Sequence, residues 1–153
     1  MFLDASDCAC CLTYAAFLGD TKTISGLLFT GEWPQKSLDK SLLCASGFNH
    51  MDSVLELLND GRANPLGLEG EAIKNAAIQN NHEIVKMICE SCPAAATLVR
   101  PNLLFIAHMD HIKVIKIIAK YDPVWVFSDT ILISALRSGS NRTIQLILDQ
   151  TCC

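Results

Sequence analysis

Apolar residues along the chain fall into blocks that share one internal spacing. Each block holds a pair of small or aliphatic residues, namely Ala15-Ala16, Ala45-Ser46, Ala76-Ala77, Ile106-Ala107 and Ala135-Leu136, whose second members lie 30, 31, 30 and 29 residues apart. Taking that second member as position zero, position −4 is a branched aliphatic in every block: Leu12, Leu42, Ile73, Leu103 and Leu132. Position +8 holds Ile24, Val54, Val85, Ile115 and Ile144, and position +11 holds Leu27, Leu57, Ile88, Ile118 and Ile147. Spacings of three and four within each block are those of a helix with one apolar face.

Position +3 decides how the helices are joined. It holds Gly19, Asn49, Asn80, Asp110 and Gly139, residue types that enter the left-handed backbone region at low cost, as a helix end followed by a tight reversal requires. Each block therefore predicts helix, one-residue reversal, helix. The expected pairs are 7–18 with 20–30, 39–48 with 50–60, 70–79 with 81–91, 100–109 with 111–121, and 128–138 with 140–150. A helix pair this short cannot bury its apolar face alone, whereas five stacked pairs form one continuous core. The expectation is one all-α domain over 1–153, with repeats at about 8–38, 39–69, 70–99, 100–127 and 128–150. The last copy carries Arg137, Ser138, Ser140, Asn141, Arg142 and Gln145, which reads as a polar outer cap.

Small pair, left-handed turn residue, often a His, then Val or Ile and a Leu-Leu type pair resembles the helical part of ankyrin repeats. His50 and His111 stand where that family often has its turn histidine. In the second copy the likeness runs on through Leu57-Leu58-Asn59-Asp60-Gly61 into Ala63-Asn64-Pro65, and the first copy closes at Gly31. The family's Thr-Pro-Leu-His opening is absent from every copy, copies three to five lack the closing glycine, and each repeat is about three residues shorter than the common period of roughly 33. The resemblance implies an ankyrin-like solenoid with short, irregular loops. It also implies a non-catalytic scaffold that binds a partner protein through its concave face and inter-repeat loops. A repeat segment of a larger effector or adaptor is the alternative, as is a thiol-based or lipid-anchored protein.

Composition explains why a stack is needed. The chain of 153 residues is 50% hydrophobic and 18% charged, with mean hydropathy +0.30, which excludes disorder. No window of about 18 residues is free of charge, so no membrane span is expected. The amino end has no basic segment of a signal peptide. Eight cysteines without such a signal point to a reducing, intracellular setting, cytoplasmic or nuclear, including the interior of a host cell. The net charge of −4 argues against nucleic acid.

Candidate chemistry lies between the helices. Trp33 and the run Val124, Trp125, Val126, Phe127 fall in connections, where Trp is a favoured interface anchor; the run would also suit an extended segment pairing with a partner strand. Lys113, Lys116 and Lys120 share one helix face, with Arg100, Arg137 and Arg142 in adjoining copies, a stripe that would meet an acidic surface or a phosphoinositide. Cys8 with Cys11 and Cys89 with Cys92 have C-x2-C spacing. Two layers of helices at about 8–10 Å each would separate the pairs, so no metal site is expected. The terminal Cys152 and Cys153 resemble a double prenylation acceptor, the one route by which a membrane would become a partner. No phosphate loop, metalloprotease motif or nucleophile elbow occurs, so neither enzyme activity, cofactor nor small-molecule substrate is expected.

Overall fold

A computed structural model describes the backbone of residues 5–151 and the side chains of residues 11–151. These residues form helices joined by short connections, with no strand among them. The pairs are α1 (Ala5–Leu18) with α2 (Thr21–Thr30), α3 (Gln35–Gly47) with α4 (Met51–Asp60), α5 (Glu71–Ile78) with α6 (His82–Ser91), and α7 (Leu103–His108) with α8 (Ile112–Tyr121). A single turn, α9 (Pro123–Val126), precedes the last pair, α10 (Asp129–Ser138) and α11 (Asn141–Thr151).

The five reversals are built alike. Gly19, Asn49, Asn80, Asp110 and Gly139 have φ of 72, 60, 61, 55 and 72°. At each, the N–H of position +4 donates to the carbonyl of position −1, as in Asp20 to Ala15 at 3.0 Å and Asn81 to Ala76 at 2.8 Å. The N–H of position +3 donates to that of position zero, as in Asp110 to Ala107 at 3.1 Å. This paired bonding is the Schellman motif, which satisfies the last carbonyls of a helix and turns the chain in a single left-handed residue.

Side chains from the turns tie the second pair to the first and the fifth to the fourth. His50 Nε2 donates to the Phe17 carbonyl at 2.9 Å, and Ser140 Oγ, at the same position three repeats later, donates to the His108 carbonyl at 3.0 Å. Asp110 accepts from both the N–H and the hydroxyl of Thr143, at 3.0 and 2.8 Å, capping the first turn of α11 from the preceding repeat.

Burial shows the direction of stacking. Positions −4, 0 and +8 are buried in the first four pairs, but in the fifth Leu132 and Ile144 are half-buried and Leu136 is 56% exposed. These columns face the following pair. Position +7 behaves in the opposite way: Ser53, Ile84, Val114 and Thr143 are buried, while Thr23 in the first pair is exposed. That column faces the preceding pair. In the last repeat Arg137, Asn141, Arg142 and Gln145 are exposed, as are Leu136 and Leu148, whereas Ser140 is buried.

The connections hold more structure than the sequence pattern indicates. Pro93–Asn102 winds as a 3-10 helix and buries Ala95, Ala96 and Val99. The α-helix expected from residue 100 accordingly starts at Leu103, because residues up to Asn102 belong to the 3-10 segment that carries Ala95, Ala96 and Val99 into the core. In the second connection, Leu68, Glu69 and Gly70 all have positive φ. Asp39 Oδ1 on α3 holds this segment by accepting from the Asn64 N–H at 2.8 Å.

Candidate functional site

The sequence candidates separate on folding. Trp33 folds back over the end of α2: its indole N–H donates to the Leu27 carbonyl at 2.9 Å, and its ring lies half-buried against the core. Gly31 leaves room for that ring. Arg62 closes the same corner, donating to the carbonyls of Leu28 and Gly31 at 2.7 and 2.9 Å while its Nε meets Asp60 at 2.8 Å. That bonding holds the Asp60 carboxyl below the usual carboxylate range. Trp33 thus lies as a lid on the first repeat.

Val124, Trp125 and Val126 lie in the helical turn α9 with Phe127 as its C-cap, which corrects the expectation of an extended segment. Pro at the first position of a helix has its φ already set and lacks only an N–H that would be unpaired there, so Pro123 starts α9. One turn sends the four side chains in different directions: Val126 is buried, Phe127 is packed on the core, Trp125 is exposed and Val124 is 80% exposed. Above Trp125 sits the Arg100 guanidinium, 5.2 Å from the ring centroid. The same guanidinium holds Asp122 through two bonds of 2.7 and 3.2 Å. Arg100 is therefore committed to a pair and does not join the basic stripe.

Lys113, Lys116 and Lys120 are exposed together on α8, with Arg142 on the neighbouring α11. Lys120 Nζ lies 5.7 Å from the Tyr121 ring. Cys89 is buried at the end of α6, where desolvation above all, and then the neighbouring Cys92 and Glu90, push its thiol up to about 12; such a thiol is inert. Cys92 follows it, half-buried and unbridged. The Cys8 side chain, Cys152 and Cys153 lie outside the described residues. Among the described residues, no group of three His, Cys, Asp or Glu is placed to hold a metal ion.

A different surface emerges from the first helices of the pairs. Positions −3, −2, +1 and +2 lie on the side of these helices opposite the buried small residues. In α1 they expose Tyr14, Phe17 and Leu18, at the end of α3 Phe48, and in α7 Leu104, Phe105 and Met109. Phe17 and Phe48 meet edge to face at 4.5 Å, with Tyr14 stacked on Phe17 at 6.3 Å. Between α1 and α3 this face sinks into a recess of about 640 Å³ lined by Cys11, Thr13, Tyr14, Phe17, Ser37, Lys40 and Cys44. Burial raises the Cys44 thiol despite nearby Lys40.

A second recess, of about 370 Å³, opens between α7 and α10 beside Trp125, with Arg100, Pro101, Leu104, Ser128, Thr130 and Ile131 around it. The α5 face between the two recesses is polar, with Glu71 and Lys74 at 3.6 Å and Asn75 beside them. One side of the stack thus carries two apolar recesses with a polar divider. Residue type alone did not mark Tyr14, Phe17, Phe48, Leu104, Phe105 and Met109, because aromatic and aliphatic residues in an apolar helix read as core. Their place on the helical wheel, opposite Leu12 and the small pair, was the available signal.

No protein-family model matches this sequence, and no curated protein matches it either.

Proposed function

We propose that this chain is an ankyrin-like solenoid whose work is protein recognition, with the face made by its first helices as the binding surface. The observation that carries this reading is the cluster of exposed aromatic and aliphatic side chains on that face. Contiguous exposed apolar surface on a folded chain marks an interaction site, and Tyr14 at 63% exposure stands over an open recess. Outward positions +6, +9 and +13 of α6 and α8 carry Glu83, Lys86, Glu90, Lys113, Lys116 and Lys120, the charged composition of a solvated surface. The exposed Trp125 adjoins the second recess and extends the proposed surface, whereas Trp33 drops out of it.

The proposed role is non-catalytic binding. The decisive experiment compares affinity capture from the cells that express the protein, using the parent chain, Tyr14→Ser with Phe105→Ser, and Lys113→Ser with Lys116→Ser. A shared partner lost only with the Tyr14 and Phe105 pair is the expected result. Equal recovery by all three chains would reject the inner face, and loss with the lysine pair alone would move the site to α8.

A further inference from the structure

The charges of the chain are not spread evenly over its surface. Although the net charge is −4, no acid is among the described residues that line the recess between α1 and α3, and their charged member is Lys40. Lys36, Lys40, Cys44 and Phe48 follow one another at intervals of four along α3, a spacing that sets them in one row on a helix. Lys36 and Lys40 are exposed, and among the described residues neither makes an ion pair. The acid of the same helix is no partner for them: Asp39 is buried and accepts from the Gln35 amide and the Asn64 N–H, both at 2.8 Å.

The other end of the row is apolar. Phe48 packs edge to face on Phe17, and Tyr14 stacks on the same ring. Burial raises the Cys44 thiol, so it stays protonated and brings no negative charge to the wall. The recess therefore runs from aromatic rings at the turn to two ammonium groups toward the start of α3. Elsewhere on this face the bases are matched: Lys74 meets Glu71, and Arg100 beside the second recess holds Asp122. An occupant bringing basic residues to the first recess would add to the repulsion between Lys36 and Lys40. One bringing carboxylates relieves it.

We infer that the recess between α1 and α3 takes an acidic segment of a partner protein, with an aromatic or aliphatic side chain against Tyr14 and Phe17 and adjoining carboxylates on Lys40 and Lys36. The inference rests on the inner face being the recognition surface and names the chemistry that this face selects. The apolar side chain supplies most of the affinity through the area it removes from water. Exposed ion pairs contribute little each, but they exclude basic segments and fix the direction of the bound one, its acidic part toward the start of α3. Lys36 and Lys40 are thus specificity-determining residues.

Selection of random peptides displayed on phage against the full chain, under reducing conditions, tests the inference. Enriched peptides should join an aromatic or aliphatic residue to neighbouring Asp or Glu, and a fluorescein-labelled copy of one then serves as the probe in anisotropy titrations. Lys36→Glu with Lys40→Glu should weaken its binding by about 10-fold or more, Lys36→Gln with Lys40→Gln by less, and added salt should weaken the parent's binding. Both lysines are exposed, so circular dichroism of these variants should match the parent. Tyr14→Ser should abolish binding. Enrichment of basic or uncharged peptides, of none at all, or of acidic ones indifferent to the lysine variants would overturn the inference, while loss with Tyr14→Ser would still uphold the inner face. Peptides that bind the Tyr14→Ser chain as well as the parent would reject the inner face itself. Self-association of the parent in sedimentation, removed by Tyr14→Ser, would assign the recess to a second copy and overturn the inference too.

Discussion

Val85 and Ile144 occupy the same position of the repeat, and the sequence gives no reason to treat them differently. In the structure Val85 in the third pair is wholly buried, while Ile144 in the fifth is only partly so. Equivalent backbone bonds hold both: Val85 N–H to Asn81 at 3.1 Å and Ile144 N–H to Ser140 at 3.0 Å. The difference comes from what stands on either side. Hydrophobic stabilisation follows the area removed from water, and in a stack most of that area is removed by neighbouring repeats.

The largest test of this comparison is Val85→Asp, which buries a charge with no partner and should cost about 4 kcal/mol or more, enough to unfold a domain of ordinary stability. Ile144→Asp lets its carboxylate reach solvent and should cost about 2 kcal/mol. Circular dichroism melts of the two variants decide the matter, and equal loss would mean that the stack does not supply the burial. A similar contrast holds at position zero. Ala107→Leu forces a large side chain between packed layers and should cost about 1–3 kcal/mol. Leu136→Ala, at an exposed position of the fifth pair, should stay within about 0.5 kcal/mol of the parent in denaturant titrations.

The turns offer a finer version. Gly19 and Gly139 share φ of 72°, but a Cβ on Gly19 would stand 2.5 Å from the His50 ring, whereas nothing lies within 4 Å of one on Gly139. Gly139→Ala should therefore lose about 1 kcal/mol for the left-handed conformation alone. Gly19→Ala should lose more, because His50 must also leave the Phe17 carbonyl. Equal losses in chemical denaturation would show that the His50 contact contributes little.

The smallest expected effect is a dependence on pH. Asp60 in the folded chain titrates below its ordinary value because Arg62 bonds its charged form. Its contribution to stability is then complete above the unfolded value of about 4 and is lost as pH falls through that value toward the folded one. Asp60→Asn should flatten the acid side of a melting-temperature profile and leave neutral pH less affected by further titration. An acid limb identical to the parent's would assign the loss to other carboxylates.

Much of the architecture was legible because its determinants are local. The position +3 residues announce left-handed turns whatever surrounds them, and the spacing of Leu12 to Ala16 or Val54 to Leu57 defines a helical face within a few residues. The connections were less legible. Pro93–Asn102 winds into a 3-10 helix to place Ala95, Ala96 and Val99 in the core, a packing requirement set by residues far along the chain. The candidate site was legible only in part. Trp33 and Trp125 looked alike as aromatic residues in loops, yet one closes on the Leu27 carbonyl and the other stands under Arg100 at the mouth of a recess.

By itself the sequence determined the five helix pairs and the place of every reversal, because backbone conformational preference and helical periodicity act over a few residues. Only the tertiary structure decided which apolar side chains meet water. Tyr14, Phe48, Leu104 and Leu136 are chemically suited to a core, and their exposure follows from where the neighbouring helices lie and where the described stack stops. Burial is a property of the assembled layers, so the surfaces offered for recognition appear only once those layers are in place.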